Sequence, residues 1–165
     1  MRIAAVAIMS IMLATIGARA DDASDCEKST DFNVEINACS RIIRKDPNAA
    51  WAYTNRSFAY ERLDRGEEAL ADANRAIELD KSRPVAWVNR AAAKIRLKDY
   101  QGAIADANQA MKIDPGRASA FVNRAFAYEQ IGERDRAIAD YRRTLELEPD
   151  KQYARDALKR LGSTP

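Results

Sequence analysis

The sequence predicts an all-α protein, a stack of antiparallel helix pairs, and three observations carry that expectation. The first is an internal period of 34 residues: Asn55-Arg56, Asn89-Arg90 and Asn123-Arg124 recur at that interval, and Ala71-Asp72-Ala73-Asn74 returns as Ala105-Asp106-Ala107-Asn108. The second is that each period divides into two apolar-periodic segments of helix length, separated by Asp64-Arg65-Gly66, Lys98-Asp99 and Gly132-Glu133, with no β-branched run in either half. The third is composition: six glycines and five prolines in 165 residues leave little for the many tight turns of a β sandwich or barrel.

Residues 1–20 read as an export signal. Met1-Arg2 supplies a positive start, Ile3 to Ile16 an apolar stretch, and Ala18 and Ala20 the small residues before a cut at Asp21. As a retained membrane anchor the stretch is short of the roughly 20 residues that span a bilayer. Cleavage removes Arg2 and Arg19 and no acid, leaving the mature chain formally neutral.

Residues 21–49 form a truncated helix pair. Asp31-Phe32, Ile36, Ile42-Ile43 and Asp46-Pro47 align with Asp99-Tyr100, Ile104, Ala110-Met111 and Asp114-Pro115, which predicts a helix over 32–45 with a short stub near 22–29 before it. Outside the cytosol a pair of cysteines reads as a disulfide, and neither Cys26 nor Cys39 stands in a CxxC motif. A Cys26–Cys39 bridge contributes about 3 kcal/mol by closing its loop. It pins a stub too short to hold its place by packing alone, at the expense of a distorted hairpin around Ser29 to Asp31.

Three full units follow at 50–83, 84–117 and 118–151. In their second halves Ala69, Leu70, Ala73, Ala76 and Ile77 fall on one stripe, as do Ala103, Ile104, Ala107, Ala110 and Met111, and then Ala137, Ile138, Tyr141 and Leu145. The small alanines let a partner helix approach closely. Asp114-Pro115 and Glu148-Pro149 end two of these helices, because proline lacks the amide hydrogen and disfavours helix at the residue before it. Tyr153, Ala154, Ala157, Leu158 and Leu161 then predict an amphipathic capping helix within 152–165, followed by a fraying tail from Gly162.

Charge and residue types exclude whole classes of function. Lys and Arg number 27 against 25 Asp and Glu, so there is no basic excess for a nucleic-acid backbone or, once the signal is cut, for a membrane surface. With no histidine, the commonest general base and metal ligand are missing. Glu61 and Glu129 read as solvated helical surface, and no paired-carboxylate or Gly-rich phosphate-binding pattern occurs, so neither an enzyme nor a cofactor or metal site is expected.

The units resemble the tetratricopeptide repeat family, a 34-residue helix-turn-helix with the pattern W-x2-L-G-x2-Y…A-x3-F…P. Tyr53, Trp87 and Phe121 open the pattern; Tyr60 and Tyr128 fill the later tyrosine, with Lys94 between them. Ala69, Ala103 and Ala137 are the small residue, and Pro115 and Pro149 the closing proline, with Lys81 in its place after the first unit. The Leu-Gly pair is replaced by Arg56-Ser57, Arg90-Ala91 and Arg124-Ala125, and the later aromatic survives only as Tyr141.

The resemblance implies a right-handed superhelical stack whose concave face holds a peptide or protein partner. Its groove positions fall here on Trp51, Thr54, Asn55, Phe58 and Arg62, then Val85, Val88, Asn89, Ala92 and Arg96, then Ser119, Val122, Asn123, Phe126 and Gln130. The recurring asparagines suit either a grip on a ligand's main chain or hydrogen bonds inside the stack. Arg56, Arg90 and Arg124 recur sixteen residues before Asp72, Asp106 and Asp140, which predicts a repeated Arg–Asp pair joining the two helices of each unit. The expected function is a non-catalytic interaction module exported to the periplasm. The alternative is a self-assembling structural protein, a homo-oligomer.

Overall fold

The computed structural model describes residues 22–164, and every described element is helical. The proposed signal at 1–20 lies outside the described residues. Helix α1 runs through residues 22–28. It is followed by α2 (Phe32–Lys45), α3 (Ala50–Arg62), α4 (Gly66–Leu79), α5 (Pro84–Arg96), α6 (Tyr100–Ile113), α7 (Ala118–Gln130), α8 (Arg134–Leu147) and α9 (Gln152–Arg160). Consecutive helices pack as antiparallel pairs around alanines with no exposed surface, among them Ala52, Ala59, Ala69, Ala73 and Ala76. Alanine at these contacts lets helix axes approach closely, so core volume comes from few large side chains.

Local chemistry sets the turns. Asp46, Asp80 and Asp114 stand one period apart just beyond α2, α4 and α6, and each carboxylate accepts from the amide two residues on, Asn48, Ser82 and Gly116, at 3.0 Å. Such Asx turns hold the link to the next helix without proline, which is how the link after Asp80 forms. Asp31 caps α2 by accepting from Asn33 N at 2.8 Å, and Asp99 caps α6 by accepting from Gly102 N at 2.9 Å. Within the pairs, Asp64 (φ 62°), Lys98 (φ 63°) and Gly132 (φ 81°) occupy matching left-handed positions.

The N-terminal hairpin departs from that pattern at Ser29 to Asp31, where distortion was expected. Its helix ends keep the 34-residue register, but Thr30 does not take the positive φ of its counterparts. Instead the Ser29 hydroxyl accepts from Asp31 N at 3.1 Å and donates to Asp31 O at 2.9 Å. The Cys26–Cys39 disulfide spans this pair with Cα atoms 4.9 Å apart. Arg41 and Lys45 of α2 hold Asp22 at 2.6 and 3.0 Å; burial raises its pKa, but these hydrogen bonds outweigh that and keep it below the ordinary carboxylate value.

The arginine at the seventh position of each full unit joins three helices. Arg56 pairs in bidentate fashion with Asp72 (2.6 and 2.8 Å), Arg90 with Asp106 (2.8 and 2.7 Å) and Arg124 with Asp140 (2.7 Å twice), as the spacing predicts. The remaining nitrogen of each reaches back to the second helix of the preceding pair: Arg56 to Ser40 Oγ at 2.8 Å, Arg90 to Asn74 Oδ1 at 3.1 Å and Arg124 to Asn108 Oδ1 at 2.5 Å. The guanidiniums also lie over Tyr53, Trp87 and Phe121. The recurring Ala-Asp-Ala-Asn segment is thereby explained: its aspartate serves its own unit and its asparagine the next. Lys94, standing where the other units have tyrosine, adds a second cation to Asp106 at 2.8 Å.

At the C-terminal end, Ala154, Ala157 and Leu158 of α9 are fully buried against Ala125, Ala137 and Tyr141. The segment from Gly162, where fraying is expected, keeps hydrogen bonds to the helices as far as Ser163. Ser163 N donates to Leu158 O at 2.9 Å, Arg142 holds the Ser163 hydroxyl at 3.0 Å, and Arg134 reaches Leu161 O.

Two predictions follow from this packing. Arg56→Leu leaves the Asp72 carboxylate buried without its cation and lowers stability by about 3 kcal/mol, and adding Asp72→Ala restores at least about 1 kcal/mol; chemical denaturation of the double-mutant cycle measures both. Glu35 is 6% exposed on α2 at the position where Ala69, Ala103 and Ala137 stand, and burial pushes its carboxyl up to about 7. The unfolded chain ionises this group at lower pH than the folded one, so its contribution falls as pH rises from about 4.5 to about 7 and is level above. Glu35→Gln therefore leaves thermal stability unchanged at about pH 4 and raises it by about 1–3 kcal/mol at about pH 8, as melting curves at the two pH values test.

Candidate functional site

Curvature follows from which helices touch. Helix α3 packs on α5 and α5 on α7, whereas α4, α6 and α8 make no comparable contact with one another, so the first helices line the inner face. The asparagines bring them together. Asn55 Nδ2 donates to Cys26 O at 3.0 Å, Asn89 Nδ2 to Thr54 O at 2.8 Å and Asn123 Nδ2 to Val88 O at 3.0 Å, each a bond to the first helix of the pair before. Of the two roles the sequence leaves open, this geometry supplies the bond inside the stack.

Burial redistributes the residues expected in the groove. Thr54 is 1% exposed and its hydroxyl donates to Ala50 O at 2.9 Å; Val88 lies in a core cluster with Ala110 and Ala120. Both are core residues and not groove seats, because α5 packs over the fifth position of α3 and α7 over that of α5, whereas Val122 at the fifth position of α7 stays on the cleft. Asn89 is buried for the same reason. Trp51 packs against the cluster containing both cysteines, and Gln130 is exposed beyond the cleft. Phe58 stays open to solvent, edge-on to Phe32 with ring centroids 6.1 Å apart, and the Arg62 guanidinium lies 5.5 Å from the Phe32 centroid.

What the inner face does form is an open cleft of about 520 Å³. Arg62, Ala92, Arg96, Val122, Asn123 and Phe126 of the expected set line it. The first-helix pattern misses Lys98 and Tyr100, from the α5–α6 turn and the start of α6, and Tyr153, from α9. Tyr153 is 43% exposed and packs edge-on to Tyr141, so the capping helix also builds a wall of the cleft. Its amphipathic pattern marks a core face and gives no sign of this second task.

The charges of the cleft are unequally paired. Arg96 bonds Glu61 at 3.0 Å and Asp64 at 2.6 Å. Outside the lining, Glu129 of α7 accepts from Arg160 of α9 at 2.9 Å and from the Tyr141 hydroxyl at 3.0 Å. Burial pushes the Tyr141 phenol far up, so it remains a donor. Glu61 and Glu129 are therefore ion-paired and mostly covered, where the sequence suggested solvated surface. Among the described residues no group of three or more His, Cys, Asp or Glu side chains is placed to hold a metal ion.

Comparison with known proteins gives the same repeat. Family models described as tetratricopeptide repeat match residues 52–83, 84–117 and 118–151. A protein described as Protein STIP1 homolog, from Dictyostelium discoideum, is 40% identical over 50 residues, which is 30% of this chain and 9% of that protein; the chain thus spans a small fraction of that relative. The Arabidopsis OM64 TPR domain superposes with a TM-score of 0.67 at 32% identity, covering 69% of this chain and 94% of that one. The first TPR of Spaghetti (RPAP3) bound to the HSP90 peptide SRMEEVD superposes with a TM-score of 0.65 at 28% identity, covering 68% and 92%.

Because the Asn89 amide bridges α3 and α5 while buried, Asn89→Ala is expected to destabilise the fold by about 1–2 kcal/mol, and a lowered thermal midpoint in a melting curve is the check.

Proposed function

We propose a function from one premise: the chain belongs to the tetratricopeptide repeat family, whose models match more than half of it. It is a protein–protein interaction module, and it acts without catalysis by holding an extended peptide segment of its partner in the cleft between α3, α5, α7 and α9. The observation that carries this reading is the cleft itself. The recurring Asn, Arg and Asp side chains are taken up by the stack, whereas Ile95, Val122 and Phe126 present apolar surface to an open cavity. The peptide-bound relative, nearly all of whose length this chain covers, supports a peptide as occupant.

Residues 50–83, 84–117 and 118–151 are the three repeats of this module, 21–49 its truncated first pair and 152–165 its cap. The setting we propose is the periplasm, reached by the signal at 1–20. The Cys26–Cys39 bond supports it, since disulfides persist in oxidising compartments.

Selection of peptides from a random displayed library tests the reading. Selected peptides are expected to lose at least about tenfold in affinity for Phe126→Glu and to bind Glu78→Lys, altered on the exposed side of α4, as they bind the parent. Equal binding to both variants, or concentration-dependent sedimentation without any selected peptide, argues for self-assembly instead.

A further inference from the structure

Three positions one period apart run along the inner face: Phe58 on α3, Ala92 on α5 and Phe126 on α7. The outer two are phenyl rings and the middle one is a methyl group, so the face carries two apolar projections with a gap between them. Each ring has an aromatic companion from an element at one end of the stack. Phe58 stands edge-on to Phe32 of α2, with centroids 6.1 Å apart, and Phe126 lines the cleft together with Tyr153 of α9. The two groups belong to one surface, because Arg62 lines the cleft while its guanidinium lies 5.5 Å from the Phe32 centroid.

Exposure is an independent sign of the same division. Among the described residues the large apolar side chains left exposed are Val34, Phe58, Val85, Leu97 and Tyr153, and the aromatic ones are Phe58 at 45% and Tyr153 at 43%. These two sit at opposite ends of the face. Aromatic surface held open at two separated places marks anchor seats for a partner.

Packing sets the interval between the seats. Helix α3 packs on α5 and α5 on α7, and packed helix axes lie about 8–10 Å apart, so the axes that carry Phe58 and Phe126 are about 16–20 Å apart. An extended peptide rises about 3.3 Å per residue as a β-strand and about 3.1 Å as polyproline II. Strand side chains repeat their direction every second residue and polyproline II side chains every third. Residue i+6 therefore faces the same way as residue i in both conformations, at about 19–20 Å. Residue i+4 reaches only about 13 Å and residue i+8 overshoots at about 25 Å or more.

Resting on the peptide-binding reading above, we propose that the inner face recognises an extended peptide carrying two large apolar side chains at positions i and i+6, one seated at Phe58 and Phe32 and the other at Phe126 and Tyr153. The peptide main chain crosses Ala92, whose small side chain leaves room for it. Selectivity then lies in the interval between anchors: a segment with one anchor, or with two at another interval, fills a single seat and forgoes the gain of the second.

A series of fluorescein-labelled peptides of one length tests this by anisotropy with the full chain. Each has an otherwise Ser-Thr sequence bearing a single phenylalanine, or two at i and i+4, i+6, i+8 or i+11. The i+6 peptide is expected to bind about tenfold more tightly than the single-phenylalanine peptide and the i+4 and i+8 peptides to stay within about twofold of it. Phe58→Ala, at a half-exposed site, should bring the i+6 peptide down to the single-phenylalanine level while the thermal midpoint changes little. The spacing series is read on the parent chain and needs no variant. Equal affinity at every spacing, or an i+6 affinity undiminished in folded Phe58→Ala, overturns the two-seat assignment and leaves the peptide cleft standing. Tightest binding at another spacing also overturns it, and at i+11 points to a helical occupant, whose rise of about 1.5 Å per residue spans the same gap. Failure of every peptide to bind, with the chain folded, overturns the cleft reading and this inference with it.

Discussion

The structure depends on a joint made by two consecutive residues. Asn and Arg at the sixth and seventh positions of each full unit leave the first helix about 100° apart, so one side chain reaches the neighbouring first helix and the other reaches two second helices. The amide fixes the close spacing on the inner side. The guanidinium fixes the approach on the outer side, through an aspartate ahead and a Ser or Asn behind. A planar group with five donors is suited to this branching; a leucine of similar reach fills the volume and leaves the aspartate unsatisfied. Alanines elsewhere in the interface permit the approach that these bonds then hold.

Much of this was legible because the period exposes roles as well as elements. A residue that recurs at 34 residues occupies the same place in each pair, so Arg56 with Asp72 could be paired on paper before any contact was known. The helix boundaries followed from the turns for the same reason. What the pattern did not carry was depth. Thr54 and Val88 share the inner stripe with Phe126, yet the approach of the next first helix covers the fifth position in α3 and α5, leaving it on the cleft at Val122 and leaving the ninth open at Phe58. Depth on a helix face depends on how near the next helix comes, and that distance is set by bonds from other residues. Lys98 and Tyr153 carry no signal in the first-helix pattern because they enter the cleft from a turn and from α9, outside the groove positions of that pattern.

The two ends are closed by different means. At the C-terminal end α9 buries Leu158 and extends the hydrophobic core. At the N-terminal end the seven described helical residues of α1 are too few to hold by packing, and three kinds of bond secure them: the disulfide to α2, the Asp22 ion pairs to Arg41 and Lys45, and the Asn55 amide on Cys26 O. A covalent link suits this end because it does not depend on buried area. Burial of Glu35 opposes that closure at neutral pH, so α2 carries both the strongest restraint and an unfavourable charge.

The joint also bears on how such a chain changes length. Its donors and acceptors recur in kind at every step: Asn74 is to Arg90 what Asn108 is to Arg124, and the carbonyls of Thr54 and Val88 play one part for Asn89 and Asn123. A chain lacking 84–117 would bring Asn74 to Arg124 and Thr54 O to Asn123 with the chemistry of the seam unchanged. Lys98, Arg96 and Ile95 would vanish with that unit, and with them the middle of the cleft. Gain or loss of whole units can therefore erase or redraw a recognition surface while the scaffold persists, whereas the end pieces, with their bespoke fastenings, have no interchangeable copy within the chain.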